Sequence, residues 1–343
     1  MMKITSRFLS VLFVVLSIGF LQACGSGNQF EPNTALTATD TGEETTNSAG
    51  QAPSTDPFIV AEGTYTFDGQ DRDYIAYLPE SYSDSAEYPL VIYFHGYNWD
   101  VETDLGYIQL HIDASANDFI VVYPDSSKPS PDGYPNWNSG AGDHPAFSSI
   151  PDVDDVGAVE VLIDTLSERF SINQKMIFAT GFSNGGFMVY KLACQLSDRI
   201  AAVASVGGTM SNSTYEECNP SRPVPVIVFH GTWDKRIPID GNAFWHPVEE
   251  SISYWVNFNK CREESSALLP DLDESDRTTV EKTHFKNCTN DAEVVFYKVI
   301  DGGHTWPGAG SIGINVSGIG FTTQDVDANS EMLTFFRMHQ LSP

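Results

Sequence analysis

The sequence predicts an α/β fold, a mostly parallel central sheet flanked by helices, and three observations carry that expectation. Segments 90–94, 120–123, 176–180, 201–206 and 226–229 are short continuous apolar runs, the pattern of strands buried on both faces of a parallel sheet. Helical patterns fill the intervals between such runs, and alternation of strand and helix implies an α/β sandwich. Hydrophobic residues make up 41% of the 343-residue chain, enough for a core of that size.

In chain order, the first element is a targeting signal rather than structure. Lys3 and Arg7 supply a positive start, residues 8–20 are apolar except for Ser10 and Ser17, and Leu21-Gln22-Ala23-Cys24 follows. A short apolar stretch ending in small residues is a secretory signal and is too short to span a membrane. Leu-x-Ala-Cys resembles the bacterial lipobox, which implies a signal peptide over 1–23 and acylation of Cys24. Gly25 is not the aspartate that holds many lipoproteins at the inner membrane, so in a Gram-negative source the resemblance suggests the outer membrane. Residues 24–57, rich in Thr, Ser, Gly, Asn, Ala and Pro without periodicity, read as a disordered tether. Such a tether would reach about 30 Å on average.

The catalytic domain is expected over 58–343. Its strands are 64–67, 73–78, 90–94, 120–123, 176–180, 201–206, 226–229 and 294–299, the first two forming an antiparallel edge. Helices are expected over 154–170, 184–196, 248–258 and 329–339. Without Cys24, four cysteines remain, Cys194, Cys218, Cys261 and Cys288, and an even number in an exported chain suggests two disulfides. Three pairings are possible; joining chain neighbours favours Cys194–Cys218 and Cys261–Cys288. The net charge of −28, with only 18 Lys and Arg, argues against nucleic acid and anionic lipid as partners. That leaves the lipid anchor as the only membrane contact. The acidic run from Asp271 to Asp276 reads as an exposed loop.

The sharpest chemical signal is Gly181-Phe182-Ser183-Asn184-Gly185. It follows the strand 176–180 and opens a helix, the strand–turn–helix setting that gives Gly-x-Ser-x-Gly its meaning in the α/β-hydrolase fold. Ser183 is then the nucleophile, projecting above the strand ends. In that fold the acid and the histidine follow the serine along the chain, each at a strand's carboxyl end. Asp234, in the turn after 226–229, is preferred over Asp240 as the acid. His304 follows the strand 294–299 and the turn Asp301-Gly302-Gly303, and is preferred over His246 and His284, placed in a cap-like insertion, and His339, placed in the terminal helix. Ser183 would attack an ester carbonyl while His304 takes its proton and Asp234 orients the imidazole. The backbone N–H groups of Tyr97, in the His95-Gly96-Tyr97 turn, and of Asn184 would stabilise the oxyanion, each worth about 3 kcal/mol in the transition state. His95 itself would brace the turn. Phe94-His95-Gly96 and Phe229-His230-Gly231 read as two strands ending at one face. Trp137, Trp233 and Trp306 are candidates for an aromatic substrate cleft. Asp152, Asp154 and Asp155 lack the glycine turn and closing glutamate of a calcium loop, so a helix N-terminus is the better reading and no metal is expected.

These residues, taken with His95-Gly96, Tyr123-Pro124-Asp125, Trp137-Asn138, Asp154-Asp155-Val156-Gly157, His230-Gly231-Thr232-x-Asp234 and Gly302-Gly303-His304-Thr305-Trp306-Pro307-Gly308, resemble the bacterial polyhydroxybutyrate-depolymerase-like esterases, which merge with the carbohydrate esterase family 1 feruloyl esterases. The motifs span nearly the whole catalytic domain in family order. The resemblance implies an ester hydrolase using Ser183, Asp234 and His304 without a cofactor. Trp233, Lys235 and Ala158 depart from the family pattern and bear on substrate choice. The expected activity is feruloyl- or acetyl-type hydrolysis of polysaccharide-derived or aromatic esters. A polyhydroxyalkanoate depolymerase is the alternative, ahead of a serine peptidase and a non-catalytic surface binding protein.

Overall fold

The computed structural model describes residues 58–99, 101–126, 134–141, 153–310 and 319–342. The expected signal peptide 1–23, Cys24, the tether 24–57 and Asp152 lie outside the described residues. In chain order the elements are β1 (Phe58–Phe67), β2 (Gln70–Pro79), β3 (Tyr88–Phe94), α1 (Val101–Ile108), α2 (Leu110–Ala116), β4 (Ile120–Pro124), α3 (Asp155–Arg169), β5 (Ile172–Phe182), α4 (Asn184–Gln195), β6 (Ala202–Val206), α5 (Asn212–Glu217), β7 (Val226–Gly231), α6 (Val248–Phe258), β8 (Glu263–Leu268), β9 (Thr279–Lys286), β10 (Val294–Ile300) and α7 (Ala328–Arg337).

The strands form one sheet in the order β1-β2-β4-β3-β5-β6-β7-β10-β9-β8. From β4 to β10 the pairings are parallel. β1, β2 and β4 meet antiparallel at one side, and β10, β9 and β8 at the other. The continuous apolar runs mark the middle of the sheet because both faces there are covered, and every residue of β4, β6 and β7 is buried. Side chains of α3, α4 and α6, among them Leu162, Met188, Leu192 and Trp255, fill one face. Those of α1, α2 and α7, among them Ile108, Leu110 and Phe336, fill the other, where Phe336 stacks on Phe178 at 4.6 Å. Fully burying one such side chain is worth about 1.5–3 kcal/mol.

The cap-like insertion expected around His246 and His284 is corrected. Residues 263–286 extend the sheet as the β8–β9 pair, with His284 on β9 and opposite Val295 of β10. β8 is exposed along its whole length and holds its place by backbone pairing, so it carries no apolar pattern to read. The helices α1, α2 and α5 are additions of the same kind, too short for a periodic signal. α3 begins as expected: the Asp154 carboxylate accepts the Gly157 N–H at 2.8 Å.

Both expected cysteine pairings are present, Cys194–Cys218 and Cys261–Cys288. The first ties the end of α4 to the residue after α5; the second ties the chain after α6 to the chain after β9. Their sequence separations of 24 and 27 put each contribution at about 3 kcal/mol through the unfolded state.

Candidate active site

The carboxyl ends of β3, β5, β6, β7 and β10 lie side by side, and the turns leaving them carry the candidate residues. Ser183 follows β5 with φ 55° and ψ −114°, a conformation that costs a non-glycine residue about 1–3 kcal/mol. Its N–H donates to the Val206 carbonyl at 2.9 Å, which pins the turn to β6. The turn is tight enough that a Cβ on Gly185 would stand 1.9 Å from the Phe94 carbonyl oxygen, so only glycine fits there. The Ser205 hydroxyl donates to the Gly186 carbonyl at 3.0 Å and braces the first turn of α4.

Asp234 lies just beyond β7 and uses its two carboxylate oxygens differently. Oδ1 accepts the backbone N–H groups of Arg236 and Ile237, both at 2.8 Å. Oδ2 lies 2.6 Å from Nδ1 of His304. A carboxylate can only accept, so Nδ1 carries a proton; in the neutral imidazole Nε2 then holds the lone pair able to receive a serine proton. Burial pushes the Asp234 carboxyl up. The His304 charge and hydrogen bond, with His230 and the Ile237 N–H, outweigh burial and hold it below the ordinary carboxylate value. His230, buried behind it, places Nε2 3.6 Å from Oδ2 and 2.8 Å from the Ile237 carbonyl. Burial holds His230 below its usual value against the pull of Asp234, so it stays neutral at neutral pH.

The His304 turn is fastened on several sides. Its own N–H donates to Ile319 at 2.6 Å, the Gly303 N–H to Phe321 at 2.9 Å, and the Trp233 N–H to the Gly302 carbonyl at 2.8 Å. The imidazole stacks on Phe182 at 4.8 Å and lies over Gly207, whose φ is +59° and where a Cβ would stand 3.2 Å from the ring. Phe182 is the variable position before the serine, and nothing in Gly-x-Ser-x-Gly marks it as a shelf for the histidine.

The structure brings Tyr97 and Asn184 to this edge as well. A Cβ on Gly96 would lie 3.6 Å from the Ser183 Cβ, so the turn after β3 runs against Ser183. Asn184 opens α4, where first-turn N–H groups have no partner within the helix. Its carboxamide faces inward: Oδ1 accepts the Trp137 N–H and Nδ2 donates to the Ser139 hydroxyl, both at 2.9 Å. His95 Nδ1 lies 2.8 Å from the Gly96 carbonyl, within its own turn. The competing residues are engaged elsewhere. Asp240 is exposed on the loop before α6. His246 stacks on Tyr215 and pairs with Glu250, His284 pairs with Glu293, and His339 packs on Phe335.

Of the three tryptophans expected in a substrate cleft, the structure buries Trp137 and Trp306 and leaves Trp233 exposed. Trp137 is 2% exposed, packs on Phe94 and donates its indole N–H to the His95 carbonyl at 3.1 Å. Trp306 is 1% exposed and donates to Asn329 at 3.0 Å inside the core. Each indole found its polar partner in the interior, which draws the ring away from solvent. Trp233 is 45% exposed, with the Lys235 ammonium 5.0 Å from its ring centroid. Asp155, expected at a helix start, is 0% exposed and pairs with Arg72 at 2.8 Å. Among the described residues no group of three His, Cys, Asp or Glu side chains is arranged to hold a metal ion.

Residues 66–307 match the Esterase family. Feruloyl esterase B of Piromyces equi is 26% identical over 258 residues, covering 71% of this chain and 44% of that enzyme. Feruloyl esterase D of Neurospora crassa is 24% identical over 251 residues, covering 70% of this chain and 76% of that enzyme. The chain thus spans less than half of the first relative and about three quarters of the second. Among solved structures, an acetyl xylan esterase from Aspergillus awamori superposes with a TM-score of 0.54 at 14% identity, over 81% of this chain and 99% of that one. A CE1 ferulic acid esterase from Anaeromyces mucronatus superposes with a TM-score of 0.51 at 16% identity, over 75% of this chain and 88% of that one. The sheet order, the helices on both faces and the match over 66–307 identify the chain as a member of the Esterase family with an α/β-hydrolase fold.

Proposed function

We propose that this chain hydrolyses carboxylic esters through Ser183, His304 and Asp234, with a feruloyl- or acetyl-type preference for polysaccharide-derived or aromatic esters. The observation that carries the reading is the 2.6 Å pair between His304 Nδ1 and Asp234, set on the same sheet edge as the strained turn of Ser183. Ser183 Oγ bonds to the ester carbonyl carbon and its proton passes to His304 Nε2. The oxyanion that forms faces the N–H groups of Tyr97 and Asn184. The carbon–oxygen bond to the alcohol breaks as His304 returns the proton to the leaving alkoxide. Water, deprotonated by His304, then cleaves the acyl-enzyme and restores Ser183. The names of the relatives, two feruloyl esterases, favour that acyl class.

The test is a rate comparison on methyl ferulate, p-nitrophenyl acetate and 3-hydroxybutyrate oligomers. Faster turnover of the first two supports the reading. Preference for the oligomers makes the chain a polyhydroxyalkanoate depolymerase, and no turnover of any ester removes the activity altogether. Trp233 supplies a second arm. As the exposed tryptophan beside the His304 turn, it is placed to stack on a sugar or aromatic ring beyond the scissile bond. Trp233→Ala is expected to raise KM for a feruloylated oligosaccharide by about 5- to 20-fold, equivalent to roughly 1–2 kcal/mol of binding, while p-nitrophenyl acetate is turned over as before. Equal KM values on the oligosaccharide would remove Trp233 from the binding site.

We further propose export, with the signal 1–23 removed, Cys24 acylated, residues 24–57 as tether and 58–343 as the catalytic domain. Two disulfides suit an oxidising compartment. Cys24→Ala is expected to move the protein from the membrane to the soluble fraction on cell fractionation. Retention in the membrane would count against acylation.

A further inference from the structure

The segment 135–139 lies outside the named helices and strands and runs between the two candidate oxyanion donors. On one side the Pro135 carbonyl accepts the Asn98 N–H at 3.0 Å and the Trp137 indole donates to the His95 carbonyl at 3.1 Å. Those two bonds grip the turn that carries Tyr97. On the other side the Trp137 N–H and the Ser139 hydroxyl hold the Asn184 carboxamide, each at 2.9 Å. One short piece of chain therefore touches the residues on both sides of the proposed oxyanion.

Asn138, within it, is clamped from outside the site. Asp155 Oδ2 accepts the Asn138 N–H at 2.7 Å, while Oδ1 takes the Arg72 guanidinium at 2.8 Å, and both charged side chains are buried. Lys191, on the helix that Asn184 opens, donates to the Asn138 carbonyl at 2.6 Å. Asn138 Nδ2 donates to the Val153 carbonyl at 2.6 Å, fastening the segment to the start of α3. A buried ion pair is a costly way to gain stability, and its rigid geometry suits an anchor better than a filler.

We propose that residues 135–139 are a strut that sets the separation of the Tyr97 and Asn184 N–H groups, and that Asp155 is the positioning residue that anchors it. The proposal rests on the reading of those two groups as oxyanion donors. Trp137 and Asp155 are both buried, so in this proposal each acts through the backbone it holds. Oxyanion donors act only when both point at the oxygen as its charge develops, and a displacement of about 1 Å can cost roughly 100-fold in rate. Ground-state binding does not depend on that alignment, so the loss falls on kcat.

Trp137→Phe keeps a six-membered ring against Phe94 and removes the indole N–H together with the volume of the five-membered ring. Asp155→Asn keeps an oxygen for the Asn138 N–H and removes the charge facing Arg72. Both are compared with the parent and with Ser183→Ala on p-nitrophenyl acetate, with circular dichroism as the check on folding. The expected kcat losses are about 10-fold for Trp137→Phe and about 10- to 100-fold for Asp155→Asn, with KM within about twofold. A p-nitrophenyl alkylphosphonate gives a readout that a merely structural role would not move. Ser183 Oγ displaces p-nitrophenolate from phosphorus, the serine proton passes to His304, and a phosphoryl oxygen takes the oxyanion position. The inactivation rate is expected to fall in the same proportion as kcat. A folded Trp137→Phe with kcat and inactivation rate within about twofold of the parent overturns the strut, as does a loss confined to KM. If Asp155→Asn fails to fold, Trp137→Phe alone decides. Full activity in Ser183→Ala would instead sink the underlying catalytic reading, whatever the other variants do.

Discussion

Ser183→Ala is expected to lower kcat/KM on every ester substrate by roughly 10⁴- to 10⁶-fold, with the fold intact. The hydroxyl is the only group the proposed mechanism uses to form the acyl-enzyme, and its removal leaves only what substrate positioning and the oxyanion donors do for attack by water. The backbone supplies an internal control. Ser183 sits at φ 55° and ψ −114°, and alanine retains the Cβ that makes this costly. Glycine does not. Ser183→Gly is therefore expected to be as inactive as Ser183→Ala but more stable than it by about 1 kcal/mol, after subtracting the extra chain entropy of glycine. Initial rates on p-nitrophenyl acetate and thermal unfolding followed by circular dichroism test both statements. An alanine variant retaining a tenth of parental activity would remove Ser183 from the nucleophile's role. A glycine variant less stable than alanine would show that the turn is not strained.

Asp234→Asn is expected to cost about 10³- to 10⁴-fold in kcat with little change in KM. The size follows from how the carboxylate is used. Oδ1 receives two backbone N–H groups, from Arg236 and Ile237, and only an oxygen can accept them. An asparagine at this position must therefore turn its carbonyl toward those donors and its amide nitrogen toward His304. The imidazole would then accept at Nδ1 and carry its proton on Nε2, the tautomer that cannot take a proton from Ser183. The substitution preserves shape and most hydrogen bonds while inverting the one that matters for proton transfer. Steady-state kinetics across pH test it, and kcat within about tenfold of the parent would mean that Asp234 does not set the tautomer.

The same residues show why part of this site could be read without a structure. Ser183, Asp234 and His304 are each announced by a local pattern: an apolar run that ends in glycines and a polar residue. Each follows a strand that is buried over most of its length, and burial on both faces writes itself into the sequence as continuous hydrophobicity. The cysteines paired as chain neighbours, and Asp154 capped its helix as its residue type favours. Strand β8 left no such mark, since a backbone-paired edge strand exposed on both faces has no apolar pattern to show.

The sequence by itself determined the fold class, the order of the chemical groups along the chain and the strand ends from which they project, because these depend on local periodicity and turn chemistry. The tertiary structure alone decided which indoles reach solvent, that Phe182 is a shelf for His304, that His230 stands behind Asp234, and that Asp155 joins Arg72 to segment 135–139. Arg72 and Asp155 are 83 residues apart, and Trp137 and Asn184 are 47 apart. No local pattern encodes such a meeting. It arises when the sheet closes, and a buried hydrogen-bonding group must then find its partner among whatever the fold has brought within about 3 Å.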